Sequence, residues 1–202
     1  MNIEPILYAF SGFFMKLSDD AYDKKKNITL AVFAGILCGL FVGYLAVTSA
    51  DAACIFIAIL IGTILSLKVD SLNHIVALVL FVLIIVYVGI PSIGIITLII
   101  CSIAAFLDEV ANDDKRIKNM GRKIELFFEY RFTLKVTVLI FALLGLLQTS
   151  FPGIKIYGVQ YFLFQTFVFF ILFDLFYEFA GLKFDAIYNG LKRFFRVVRV
   201  IN

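Results

Sequence analysis

"ITLAVFAGILCGLFVGYLAVTSADAACIFIAILIGTILSLK", residues 28–68, is two apolar stretches joined by a short polar break, with one carboxylate and no basic residue before Lys68. A hydrocarbon crossing takes roughly 20 helical residues, so each stretch is about one bilayer long. The pair therefore reads as a helical hairpin in a membrane. Further apolar runs at 74–90, 92–107, 133–150 and 157–180 extend the pattern. The chain of 202 residues is 62% hydrophobic, with mean hydropathy +1.02 and no Trp, whereas soluble domains are about half apolar or less. The fold class expected is all-α. It is a polytopic transmembrane helical bundle of six full spans, organised as a single transmembrane domain over residues 1–202.

Before the first run lies "IEPILYAFSGFFMKL", residues 3–17, which reads as either a short seventh span or an amphipathic helix at the interface. No removable signal is evident, since an acid stands where a leader would carry basic residues. Residues 108–132 form the one long hydrophilic interior segment. There Ile117, Met120, Ile124 and Phe127 recur at helical spacing among basic residues, which predicts a helix resting on the membrane surface. Residues 182–202 mix aromatic and branched residues with Lys183, Lys192, Arg193, Arg196 and Arg199, as a basic amphipathic tail would. Alternating the six spans puts Lys16, Lys24–Lys26, Lys68, the 108–132 cations and the tail on one side, with Lys155 on the other. The side rich in Lys and Arg stays cytoplasmic. A multi-pass protein of the cell membrane with a cytoplasmic C-terminus is expected, and its partner is the lipid bilayer. The net charge of +3 gives no nucleic-acid footprint. Cys38, Cys54 and Cys101 stand alone within apolar runs and read as packing residues. Gly35, Gly39 and Gly43 share a helix face and read as a close-packing stripe.

Acids cluster at two span boundaries. In "LSDDAYDKKKN", residues 17–27, helical spacing lets Asp19, Asp20 and Asp23 present oxygens toward one point. Glu109 and Asp113 repeat the four-residue spacing beside Asp108 and Asp114. Both clusters fall at the same membrane face. If their helices are neighbours, Asp19, Asp20, Asp23, Glu109 and Asp113 suit Mg²⁺, a hard cation that takes one or two carboxylates plus substrate phosphate oxygens. Lys24, Lys25, Lys115, Arg116 and Lys118 stand near enough in sequence to neutralise a diphosphate. The plainer reading is also open: helix capping and solvated mixed-charge loops.

"DDAYDKKKN", read as DDxxDxxxN, resembles the first aspartate motif of the UbiA superfamily of intramembrane prenyltransferases, and "EVAND" resembles its second, DxxxD. Asp19, Asn27 and Glu109 depart from the family pattern of NDxxDxxxD and DxxxD. The resemblance implies a helical bundle in which both motifs hold Mg²⁺ and an isoprenoid diphosphate while an acceptor attacks the allylic carbon.

Two readings of other classes stand beside it. Asp174 and Glu178, four apart near the inner end of the last run, form a candidate intramembrane site, because ionisable groups in the apolar band face the bundle interior or water. With the cytoplasmic acids they would serve a cation channel or transporter. A non-catalytic membrane scaffold would instead use the tail and basic loop. Asp70 and His74 read as a solvated turn, and Asp51 as the N-cap of the second run. GxSxG, HExxH and P-loop patterns are missing.

Overall fold

The computed structural model describes residues 3–114, 121–151, 153 and 156–201. Among them are nine helices and no strand: α1 (Glu4–Asp23), α2 (Ile28–Thr48), α3 (Ala50–Leu65), α4 (Leu72–Val88), α5 (Ile95–Asp113), α6 (Arg122–Glu129), α7 (Phe132–Ser150), α8 (Phe164–Leu182) and α9 (Phe184–Ile201). Local chemistry sets several ends. Pro5 sits in the first turn of α1, where its missing N–H would have been unpaired in any case. Asn27 caps α2 through Leu30 N, and Ser49 caps α3 through Ala52 N. Gly89, with φ +88°, ends α4 ahead of Pro91.

Four helices are long and apolar enough to cross a membrane: α2, the Ile95–Asn112 part of α5, α7 and α8. Large apolar side chains such as Leu83, Val86, Ile103 and Leu147 cover their outer surfaces and that of α4. Exposure of apolar side chains on this scale suits lipid rather than water, and it marks the chain as a membrane protein.

Most of the anticipated runs coincide with helices, and the departures have local causes. All of residues 3–17 but Ile3, which precedes its first turn, belong to a 20-residue helix that carries the first acidic cluster in its last two turns. The last run starts at Phe164 rather than 157. Gly158, with φ +78°, turns the chain, and the segment after it binds the bundle instead of coiling. Ile96 N donates to Gly158 O, Gln160 N to Thr97 Oγ1, and Phe162 N to Phe141 O. Asp51 does not cap its own helix. It crosses to α8, accepting from Gln160 Nε2 (2.8 Å), Leu163 N (2.8 Å) and Thr166 Oγ1 (2.9 Å). Of the anticipated surface helix, Ile124 and Phe127 lie on α6, while Ile117 and Met120 lie outside the described residues.

The packing order differs from the chain order. Helix α1 lies between α2 and α8, α3 packs on α5, α5 on α7 and α7 on α8, which closes a ring. Helix α4 leans on α2 far more than on α3, which precedes it. The glycine stripe explains that choice: a β-carbon at Gly35 would sit 3.0 Å from Asn73 O, and one at Gly39 2.9 Å from Ala77 O. Those glycines therefore serve packing within the molecule. The ends of α1, α3, α5 and α8 meet the starts of α2, α4 and α7 at one end of the bundle.

Candidate functional site

At that end a cavity of about 200 Å³ opens between α1, α2, α3 and α4. Its deep wall is apolar, built from Cys38, Gly39, Val42, Phe56, Leu60 and Phe81. Its mouth is polar, built from Asp19, Lys68, His74, Glu109, Arg131 and Tyr177. Helix α4 rests on α2, and it scarcely touches α3 beside the cavity. An apolar trough under a charged rim has the form of a site for one amphiphilic molecule.

Each rim group is held by a partner from another part of the chain. His74 Nε2 lies 2.7 Å from Asp19 Oδ1, and its Nδ1 is 3.1 Å from Lys68 O. The other oxygen of Asp19 faces Tyr177 Oη at 3.5 Å. Glu109 stands between two cations, with Lys68 Nζ at 2.9 Å and Arg131 Nε at 3.2 Å. Arg131 lies over the Tyr177 ring at 5.3 Å, and Lys16 approaches the same ring at 5.2 Å. Arg131 is the residue between α6 and α7, in left-handed backbone at φ +50°. Burial alone would lower its proton affinity, but Tyr177, Glu109 and Asp19 reverse this and hold the guanidinium above its ordinary value. It is a permanent cation. Beneath it, Asp108 is almost fully enclosed and accepts from Thr133 N (3.0 Å) and Leu134 N (2.8 Å), capping α7 from α5.

A second cavity, about 300 Å³, lies across Arg131, Glu109 and Tyr177, between α1, α5, α7 and α8. Asp174 and Glu178 line it, and Asp174 is bound to Lys135 Nζ at 2.6 Å. Lys135 is itself almost buried and also donates to Tyr130 O.

The anticipated magnesium ligands occupy distinct places. Asp19 and Glu109, one from each acidic motif, line the first cavity. Asp20 is buried and turns aside to Lys16 (3.3 Å) and Lys24 (2.7 Å). Asp23 is exposed, and the side chain of Asp113 lies outside the described set. Among the described residues, no three His, Cys, Asp or Glu side chains gather closely enough to hold a metal ion. Of the anticipated phosphate cations, Lys24 stands over the Phe184 ring at 5.4 Å and Lys25 pairs with Asp185 at 2.7 Å, both facing α9. That contact lowers the Asp185 carboxyl below its usual range. Lys115, Arg116 and Lys118 lie outside the described residues. The basic groups at the cavity mouth are instead Lys68, His74 and Arg131, which no local motif sets apart. Their one shared signal is that each stands within three residues of an apolar run's end.

No family model, curated protein or solved structure matches the chain. The likeness of the two acidic motifs to the prenyltransferase pattern therefore rests on those residues alone.

Proposed function

We propose that the chain is a polytopic protein of the cell membrane that binds one amphiphile at its cytoplasmic end, with the polar headgroup at the rim and the apolar tail in the trough. The supporting observation is the apolar cavity whose mouth carries Lys68 and Arg131. Both are long donors able to swing from Glu109 to a phosphate oxygen. Helices α1–α5, α7 and α8 would make seven crossings, α1 counting because its 20 residues reach about 30 Å. The Lys and Arg distribution supports a cytoplasmic cavity end and C-terminus. Lipid would enter sideways between α3 and α4, which scarcely touch. Titration of the detergent-purified chain with a fluorescent phospholipid tests this. Binding should weaken at least about tenfold in Arg131→Ala, since a phosphate contact with a charged donor is lost. Unchanged affinity would remove the rim from the reading.

A prenyl diphosphate is one member of this ligand class, and the convergence of Asp19 and Glu109 on one cavity favours it as a second reading. The carboxylates as placed do not fit Mg²⁺. Both oxygens of Asp19, Asp20 and Glu109 already face His74 and Tyr177, Lys16 and Lys24, or Lys68 and Arg131. Diphosphate release from a labelled prenyl donor, with and without Mg²⁺, distinguishes transfer from binding. Release that Glu109→Gln leaves intact would sink the second reading.

A further inference from the structure

The second cavity takes no part in holding the amphiphile, yet it shares a wall with the first. Glu109, Arg131 and Tyr177 line both. At about 300 Å³ it is the roomier of the two, and its walls are far more highly charged than the apolar trough. Each described cation on those walls is already matched. Lys16 is held by Asp20 at 3.3 Å, Arg131 by Glu109 at 3.2 Å and Lys135 by Asp174 at 2.6 Å. Asp108 spends its oxygens on the amides of Thr133 and Leu134.

Glu178 is the carboxylate that remains. It lines the cavity one turn beyond Asp174 on α8, half-buried, and among the described residues it has neither an ion pair nor a hydrogen-bond donor. The charges around it are Asp174, Lys135, Lys16 and Arg131, all of them groups of the same lining. With those three cations matched elsewhere, the cavity has negative charge to spare, and exposed Glu129 adds to it. A ligand that completes the cavity therefore brings positive charge. Carboxylates only accept, so that charge comes best with N–H donors. Deeper along α8 the lining turns to Phe170 and Phe173, which suit the carbon of an organic cation better than the water shell of an ion.

We infer that the second cavity binds a small organic ammonium through Glu178, beside the headgroup of the amphiphile. The ammonium site does not rest on the amphiphile reading, but the two are linked at Arg131. A phosphate that draws Lys68 and Arg131 to itself leaves Glu109 uncompensated on the shared wall. Each ligand then strengthens the other by the same factor.

Calorimetric titration of the full chain in detergent, at constant ionic strength, tests this with ethanolamine and ethylene glycol. The glycol matches ethanolamine in size and hydroxyl but carries no charge. Ethanolamine should bind at least about tenfold more tightly, the range of one hydrogen bond to a charged group. Saturating phosphatidic acid should tighten it by about fivefold or more, the low end of coupling between sites. Glu178→Gln should bring ethanolamine to the level of the glycol and leave phosphatidic acid binding in place. The wild-type comparison needs no variant, so a poorly folding Glu178→Gln still leaves the inference open to refutation.

Equal affinity for the two probes would overturn the ammonium site, and the amphiphile reading would stand if phosphatidic acid still bound. A preference for ethanolamine that survives Glu178→Gln in folded protein would overturn the role of Glu178. Ethanolamine binding that bound phosphatidic acid weakens or leaves unchanged would overturn the link at Arg131. Ethanolamine binding in a chain that takes no phosphatidic acid would sink the amphiphile reading and spare the ammonium site.

Discussion

Arg131 combines two features that usually compete. A left-handed backbone at a residue with a β-carbon costs roughly 1–2 kcal/mol, and a long cation costs side-chain entropy when it is pinned. Both are held because Glu109 and Tyr177 receive the guanidinium where the α6–α7 turn delivers it. The two contributions can be separated. Arg131→Gly removes the charge and relaxes the turn, whereas Arg131→Ala removes the charge and keeps the strain. Thermal unfolding in detergent should find Arg131→Gly more stable than Arg131→Ala by about 1 kcal/mol. Lipid titration should find both equally impaired. A gap in binding between the two would mean that the turn, and not the cation, forms the site.

The helices meet through glycines as much as through large side chains, and this sets what a mutation scan should find. A β-carbon at Gly12 would lie 1.9 Å from Phe173 O, where α1 crosses α8. Tyr177 is one turn beyond Phe173, and Asp19 two turns beyond Gly12, so this crossing also spaces the rim. Gly12→Ala should cost about 1–3 kcal/mol, the usual penalty of overpacking, and should weaken lipid binding. Gly190 on α9 has nothing within 4 Å of the same position. Gly190→Ala should be neutral or stabilising by up to about 1 kcal/mol, as denaturation midpoints of the two variants would show. The helices themselves were legible in the sequence because span length and apolar content are local properties. The partners were not. That α4 chooses α2 over α3 depends on Gly35 and Gly39 finding the backbone of Asn73 and Ala77, a match between segments about 38 residues apart. The site divides in the same way. Asp19 and Glu109 stood out as clustered acids. His74 lies 55 residues from the Asp19 it binds. Asp51 looked like a cap because its local sequence is that of one, while its three donors come from residues 160–166.

At the scale of the molecule, the two ends differ in kind. One end is fastened by Asp51 and by the segment before α8, which bonds into the ring of helices. The other carries the charged rim, the α1–α2 lysines bound to α9, and both cavities. A bundle closed at one end and open at the other fits a protein that exchanges its ligand with only one face of the membrane. Seven crossings would place these ends in different compartments, and that can be read directly. Cys38, Cys54 and Cys101 are all buried, so background labelling by a membrane-impermeant maleimide should be low. Gly153→Cys, in the turn between α7 and α8, should label in intact cells. Gly190→Cys, on α9, should label only after lysis. Both glycines have open space around them, so neither change disturbs packing. Labelling of both in intact cells would mean an even number of crossings between them. Helix α8 would then lie within one leaflet, and the rim would have to be reassigned to the outer face or divided between the two.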